Sequence, residues 1–128
     1  MAIEPRTGLE IFGPVGERST ALYTATLVTT SEDGAGDQIP VPGLTSLALT
    51  IYDLESNAVI RPRGSVLNEN DGTFSNGVLT MKFSASDNII RNGRKQFEDH
   101  VAVFHYTFGA GEEGHHGVVI RVKNLGYV

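Results

Sequence analysis

The side chains best suited to chemistry sit in the last third of the chain, where all four histidines stand: His100, His105, His115 and His116. A metal centre needs several such ligands converging on one point, with fixed partners behind them. On a regular strand side chains alternate between faces, so His100 and His105, an odd number apart, point opposite ways. The adjacent His115 and His116 also diverge if that segment is extended, whereas a turn would change this. The expectation is a mixture of surface and partner-facing histidines, with no metal site. Glu98 and Asp99 give His100 an acid–histidine neighbourhood, but adjacent strand residues do not face one another. Nucleophilic catalysis finds no cysteine and no Gly-x-Ser-x-Gly elbow. Carboxylate pairs for glycoside hydrolysis depend on spatial separation, and nothing in the sequence selects one.

Three further patterns resemble ligand sites. Gly109-Ala110-Gly111-Glu112-Glu113-Gly114 matches the spacing of a dinucleotide fingerprint and follows a strand-like run. That chemistry requires a helix N-terminus to hold the pyrophosphate. Here another strand-like run begins at Gly117, and two glutamates would repel phosphate, so the segment reads as a glycine-rich hairpin loop. Asn68-Glu69-Asn70-Asp71-Gly72 is acidic, but aligning Gly72 with the sixth position of a calcium loop puts Leu67 at the first, where an oxygen ligand belongs. It reads as a tight turn. The basic stretch Arg91-Asn92-Gly93-Arg94-Lys95 lacks interleaved aromatics, which argues against nucleic acid. It reads as a solvated loop able to grip an acidic neighbouring subunit.

Elements must position these residues, and composition limits which. A chain of 128 residues fits one domain with a real core. The net charge of −5 is spread along both halves, unlike a nucleic-acid footprint. No apolar run is long enough for a transmembrane helix. Residues 1–10 carry an early acid and no apolar core, so a signal peptide is not expected. Fifteen glycines, with many Asn, Asp and Ser, imply frequent tight turns.

The apolar periodicity is that of strands. Tyr23, Ala25 and Leu27 share a face within Ala21–Thr29, and Leu47, Leu49 and Ile51 share one within Ser46–Tyr52. Asn76-Gly77 signals a hairpin joining Thr73–Ser75 to Val78–Phe83, where Leu79, Met81 and Phe83 align. Ala102, Phe104, Tyr106 and Phe108 align within Val101–Phe108, and Val118, Ile120 and Val122 within Gly117–Lys123. Ser31–Asp37, containing Asp33-Gly34, reads as a loop. These features predict an all-β chain: a two-sheet antiparallel sandwich over residues 20–128, preceded by an extended N-terminal arm over 1–19. Leu49, Ile51, Leu79, Met81, Phe104 and Tyr106 are its expected shared interior.

Some strands are apolar on both faces. Val101 and Val103 lie opposite the Phe104 row, and Val119 lies opposite Val118 and Ile120. Something must cover that outer face: a partner, or the chain's own arm or its 31–43 loop. The arm carries Leu9, Ile11, Phe12 and Val15, four large apolar residues that a solvated tail would rarely keep. It therefore reads as an attachment element, and the expected protein interface comprises Leu9, Ile11, Phe12, Val15, Val101, Val103, Arg91, Arg94 and Lys95.

The run Leu44-Thr45-Ser46-Leu47-Ala48-Leu49-Thr50-Ile51-Tyr52-Asp53 resembles small virion structural proteins of tailed bacteriophages. So do Val66-Leu67-Asn68, Gly77-Val78-Leu79-Thr80, Ser86-Asp87-Asn88, Glu98-Asp99-His100-Val101-Ala102-Val103-Phe104 and Val122-Lys123-Asn124-Leu125. The likeness covers roughly residues 20–128 and rests on strand-and-turn patterns. It implies an immunoglobulin-like sandwich repeated in symmetric copies on a virion, decorating the head or joining head and tail, with capsid, portal or neck subunits as partners. The motif, charge and apolar-run readings above add the expectation of a non-enzymatic role without cofactor, nucleic acid or membrane. The alternative is a carbohydrate- or receptor-binding sandwich. Sugar stacking needs exposed aromatics, and the chain has no tryptophan; Tyr52 and Tyr127 are its best candidates.

Overall fold

The computed structural model describes residues 9–30 and 38–126, and every regular element among them is a strand. In chain order these are β1 (Ile11–Gly16), β2 (Ala21–Thr26), β3 (Val28–Thr30), β4 (Gln38–Pro40), β5 (Ser46–Asp53), β6 (Val59–Ser65), β7 (Gly72–Ser75), β8 (Val78–Phe83), β9 (Phe97–Phe108) and β10 (Glu112–Lys123). The main sheet has five strands in the order β1-β10-β9-β5-β6; β2-β8-β7 form a three-stranded sheet and β3-β4 a two-stranded ribbon. The expected Ser31–Asp37 loop and Tyr127 lie outside the described residues.

The strong alternations become the core. Leu47, Leu49 and Ile51 of β5, Ala102, Phe104 and Tyr106 of β9, and Leu79, Met81 and Phe83 of β8 are all buried in one cluster between the sheets. All six residues expected to share the interior do so. Phe104 lies at its centre, with ring centroids 6.3 Å from Tyr23 and 6.5 Å from Phe83. Asn76 (φ 51°) and Gly77 (φ 80°) both occupy the left-handed region that a two-residue hairpin of β7 and β8 requires. Glycines 109 and 111, also at positive φ, turn β9 into β10, so the glycine-rich stretch is the hairpin connection expected of it.

Two expectations need correction. The main sheet is mixed, because β1 runs parallel to β10. And residues 11–16 of the expected arm are a strand of this sandwich. Phe12 pairs with Ile120 and Val15 with Val122, so three steps along β1 match two along β10. That bulge turns both side chains towards the core, which regular alternation would forbid. Gly13 permits it: its φ is 116°, and an added Cβ would lie 2.7 Å from the carbonyl oxygen of Arg121.

The outer face of the main sheet is covered by the chain itself. Across it run the paired residues Ile11, Val119, Val101 and Tyr52, from β1 to β5. Val101 and Val119 are buried within the single chain. Next along the strands, Leu9 packs against Gly117, where an added Cβ would come within 2.9 Å of its Cδ1 and push that side chain aside.

Candidate functional site

One end of the sandwich is closed by the loop between β8 and β9, residues 84–96, and buried polar side chains hold it. Asp87 accepts from the Ser84 amide at 2.8 Å and from Arg61 at 3.1 Å. Asn88 donates to the Ser19 carbonyl at 2.7 Å, and its own carbonyl accepts from the Arg18 amide. Asn124, just beyond β10, donates to the carbonyls of Gly93 and Lys95. Glu98, at the start of β9, accepts from the amides of Arg91 and Asn92 at 2.8–3.1 Å. Every one of these groups satisfies loop backbone or a basic side chain. The loop is therefore bolted to the sheet from beneath.

The part so held is the basic stretch. Arg91 and Arg94 are exposed, and Lys95 is half-buried in an ion pair with Glu55. Beside it opens a cleft of about 250 Å³, lined by Asp53, Glu55, Ser56, Arg91, Asn92, Lys95 and Glu98. Its most deeply buried lining residues are Asp53 and Glu98, exposed by only 7% and 2%, and His100, fully buried, lies against them beneath the cleft. Asp53, last residue of β5, pairs directly across the sheet with His100 of β9, and its Oδ2 accepts from both the amide and the hydroxyl of Ser56. His100 Nε2 is 2.7 Å from Glu98 Oε1. Glu98 and His100 are two residues apart and share the inward face, while Asp99 points outward and takes a two-pronged grip from Arg121.

The acid–histidine neighbourhood thus exists, but between alternate residues rather than adjacent ones. Strand periodicity makes the Glu98–His100 pairing legible in the sequence. Asp53 is not legible, because only the β5–β9 register brings it opposite His100.

The remaining histidines separate into two places. His105 and His115 pair across β9 and β10, with ring centroids 4.1 Å apart, and Glu113 lies 3.5 Å from His105. The expected divergence holds for both pairs: His100 and His105 face opposite ways, and so do His115 and His116. His116 turns to the inward face, 2.6 Å from the Tyr23 hydroxyl.

The expected interface residues also separate. Val15 belongs to the core, and Val101 is buried on the outer face, which leaves neither a surface to offer a partner. Leu9, Ile11, Phe12 and Val103 are half-buried, with Phe12 packed edge-on against Tyr23. Only Arg91 and Arg94 of the nine project freely from the molecule. Tyr52 is half-buried in the outer-face row, a packing position rather than a sugar platform. The chain matches no protein-family model and no curated protein.

Proposed function

We propose that this chain is an immunoglobulin-like sandwich that serves as a structural subunit of a tailed-phage virion, decorating the head or joining head and tail without catalysis. One observation carries the reading. Arg91 and Arg94 stand exposed on a loop whose backbone is held by Glu98 and Asn124 from within the fold. Two guanidiniums on a backbone fixed before contact lose little entropy when they meet an acidic partner, and their forked donors suit carboxylates. The resemblance to small virion proteins supplies the kind of partner: an acidic face on a capsid, portal or neck subunit. Repetition in symmetric copies then multiplies a modest single contact.

The test is a charge reversal, Arg91→Glu with Arg94→Glu. Neither side chain supports the core, so the melting temperature should stay within a degree or two of wild type, as about ±0.5 kcal/mol is usual at such surface positions. Affinity for purified virion subunits should fall by about tenfold or more, and the variant should be depleted from assembled particles. Normal incorporation would remove the basic loop from the contact and, with it, the main support for this reading.

A further inference from the structure

The geometry points to a binding site for one divalent transition-metal ion just beneath the end cleft, with Asp53 and His100 as ligands and Glu98 as the carboxylate that orients the imidazole. One potential ligand atom from each of the three side chains lies within 4.8 Å of the others. Ligands bonded at about 2.1 Å around a tetrahedral ion sit about 3.4 Å apart, inside the 4.8 Å within which the three groups lie.

A second observation is independent of that clustering. Among the described residues, three buried side-chain atoms have no hydrogen-bond partner, and two of them, Asp53 Oδ1 and His100 Nδ1, belong to this cluster. Buried polar atoms left unpaired are strongly unfavourable, which makes an acceptor oxygen and a ring nitrogen in one cluster a prepared donor set. The Glu98 contact tells which ring nitrogen is available. A carboxylate that accepts Nε2–H holds His100 in the tautomer whose lone pair is on Nδ1, the usual arrangement behind a metal-ligating histidine. Glu98 itself is engaged by the Arg91 and Asn92 amides, which suits it to orientation. Solvent in the cleft, which Asp53 and Glu98 both line, would complete the coordination.

The donor set selects the class of ion. Calcium takes six to eight oxygens, whereas one imidazole with carboxylate suits zinc and its first-row neighbours. An ion here would tie the end of β5 to the start of β9 and, through Glu98, to the loop that carries Arg91. It does not depend on what that loop meets.

The test uses the full chain, stripped with chelator and then given Zn2+ or Mn2+. One ion per chain should be retained in equilibrium dialysis, and the melting temperature should rise by on the order of 5–10 °C with free ion about a hundredfold above its Kd. Ca2+ and Mg2+ should do neither. Asp53→Asn keeps an oxygen for Ser56 but replaces the free carboxylate oxygen, and should weaken zinc binding at least tenfold. The double variant His105→Ala, His115→Ala should bind as wild type. Nitrogen-15 spectra of the unmutated protein report the same site without relying on a variant: zinc should move the His100 ring resonances. No retained ion would show that the cluster is closed by water or by its own ion pair. Zinc shifts confined to His105 and His115, or binding lost only in their double variant, would move the ion to the outer face and overturn the inference.

Discussion

Tyr23 and His116 show how one buried contact sets a pH response. Burial, reinforced by the negative charge of Glu10, pushes the Tyr23 hydroxyl up to about 12. It therefore stays protonated, and its hydroxyl shares a hydrogen bond with His116 Nε2 at 2.6 Å. Burial pushes the His116 pKa below its ordinary 6.5, with Glu10 opposing only in part. The unfolded chain thus binds this proton more readily than the folded one. The stabilising contribution is complete above the unfolded value and is lost as pH falls through it towards the lowered folded value. We expect the melting temperature to drop between pH 7.5 and pH 5.5, and His116→Gln to flatten part of that drop. Parallel pH profiles in the two proteins would refute the assignment.

At the scale of elements, β9 carries most of the architecture, because it pairs with both β10 and β5 and sends Ala102, Phe104, Tyr106 and Phe108 into the core. Phe104 is fully buried among Tyr23, Phe83 and His116, so shortening it leaves a cavity that neighbours on three strands cannot all close. Phe104→Ala should lower stability by about 3–5 kcal/mol, read as a shift in the urea midpoint with unchanged slope. An unaffected midpoint would mean that this face of β9 is not the packed one. Such faces were legible beforehand because nothing interrupts their alternation. β1 and β6 were not. The bulge at Gly13 puts Phe12 and Val15 on one face at odd spacing, and β6 carries Pro62 between Arg61 and Arg63, a composition that only an edge strand tolerates.

For the molecule as a whole, the decisive fact is that the segment before β2 completes the sheet. Removing residues 2–17 would take away β1, strip Phe12 and Val15 from the core and uncover the edge of β10. A free arm could be lost without effect. A core strand cannot, and the truncated chain should be less stable by about 3 kcal/mol or more. Chemical denaturation of the truncated chain decides between them: a midpoint equal to wild type would show that β1 contributes nothing to the folded unit. Attachment, in the proposed assembly, then falls chiefly to the basic loop between β8 and β9.

What the sequence determined by itself is whatever depends on near neighbours. Alternation over β5, β8 and β9 dictates their inward faces, Asn76-Gly77 dictates a hairpin, and the i, i+2 spacing puts Glu98 and His100 on one side. Only the tertiary structure decided what depends on register between distant segments. It set Asp53 opposite His100, His105 beside His115, Tyr23 against His116, and Asn124 beneath the basic loop. The physical reason is that strand pairing is chosen by the burial of whole faces. A polar residue is carried to its partner by the apolar residues on either side of it, and its own identity says little about which strand will arrive there.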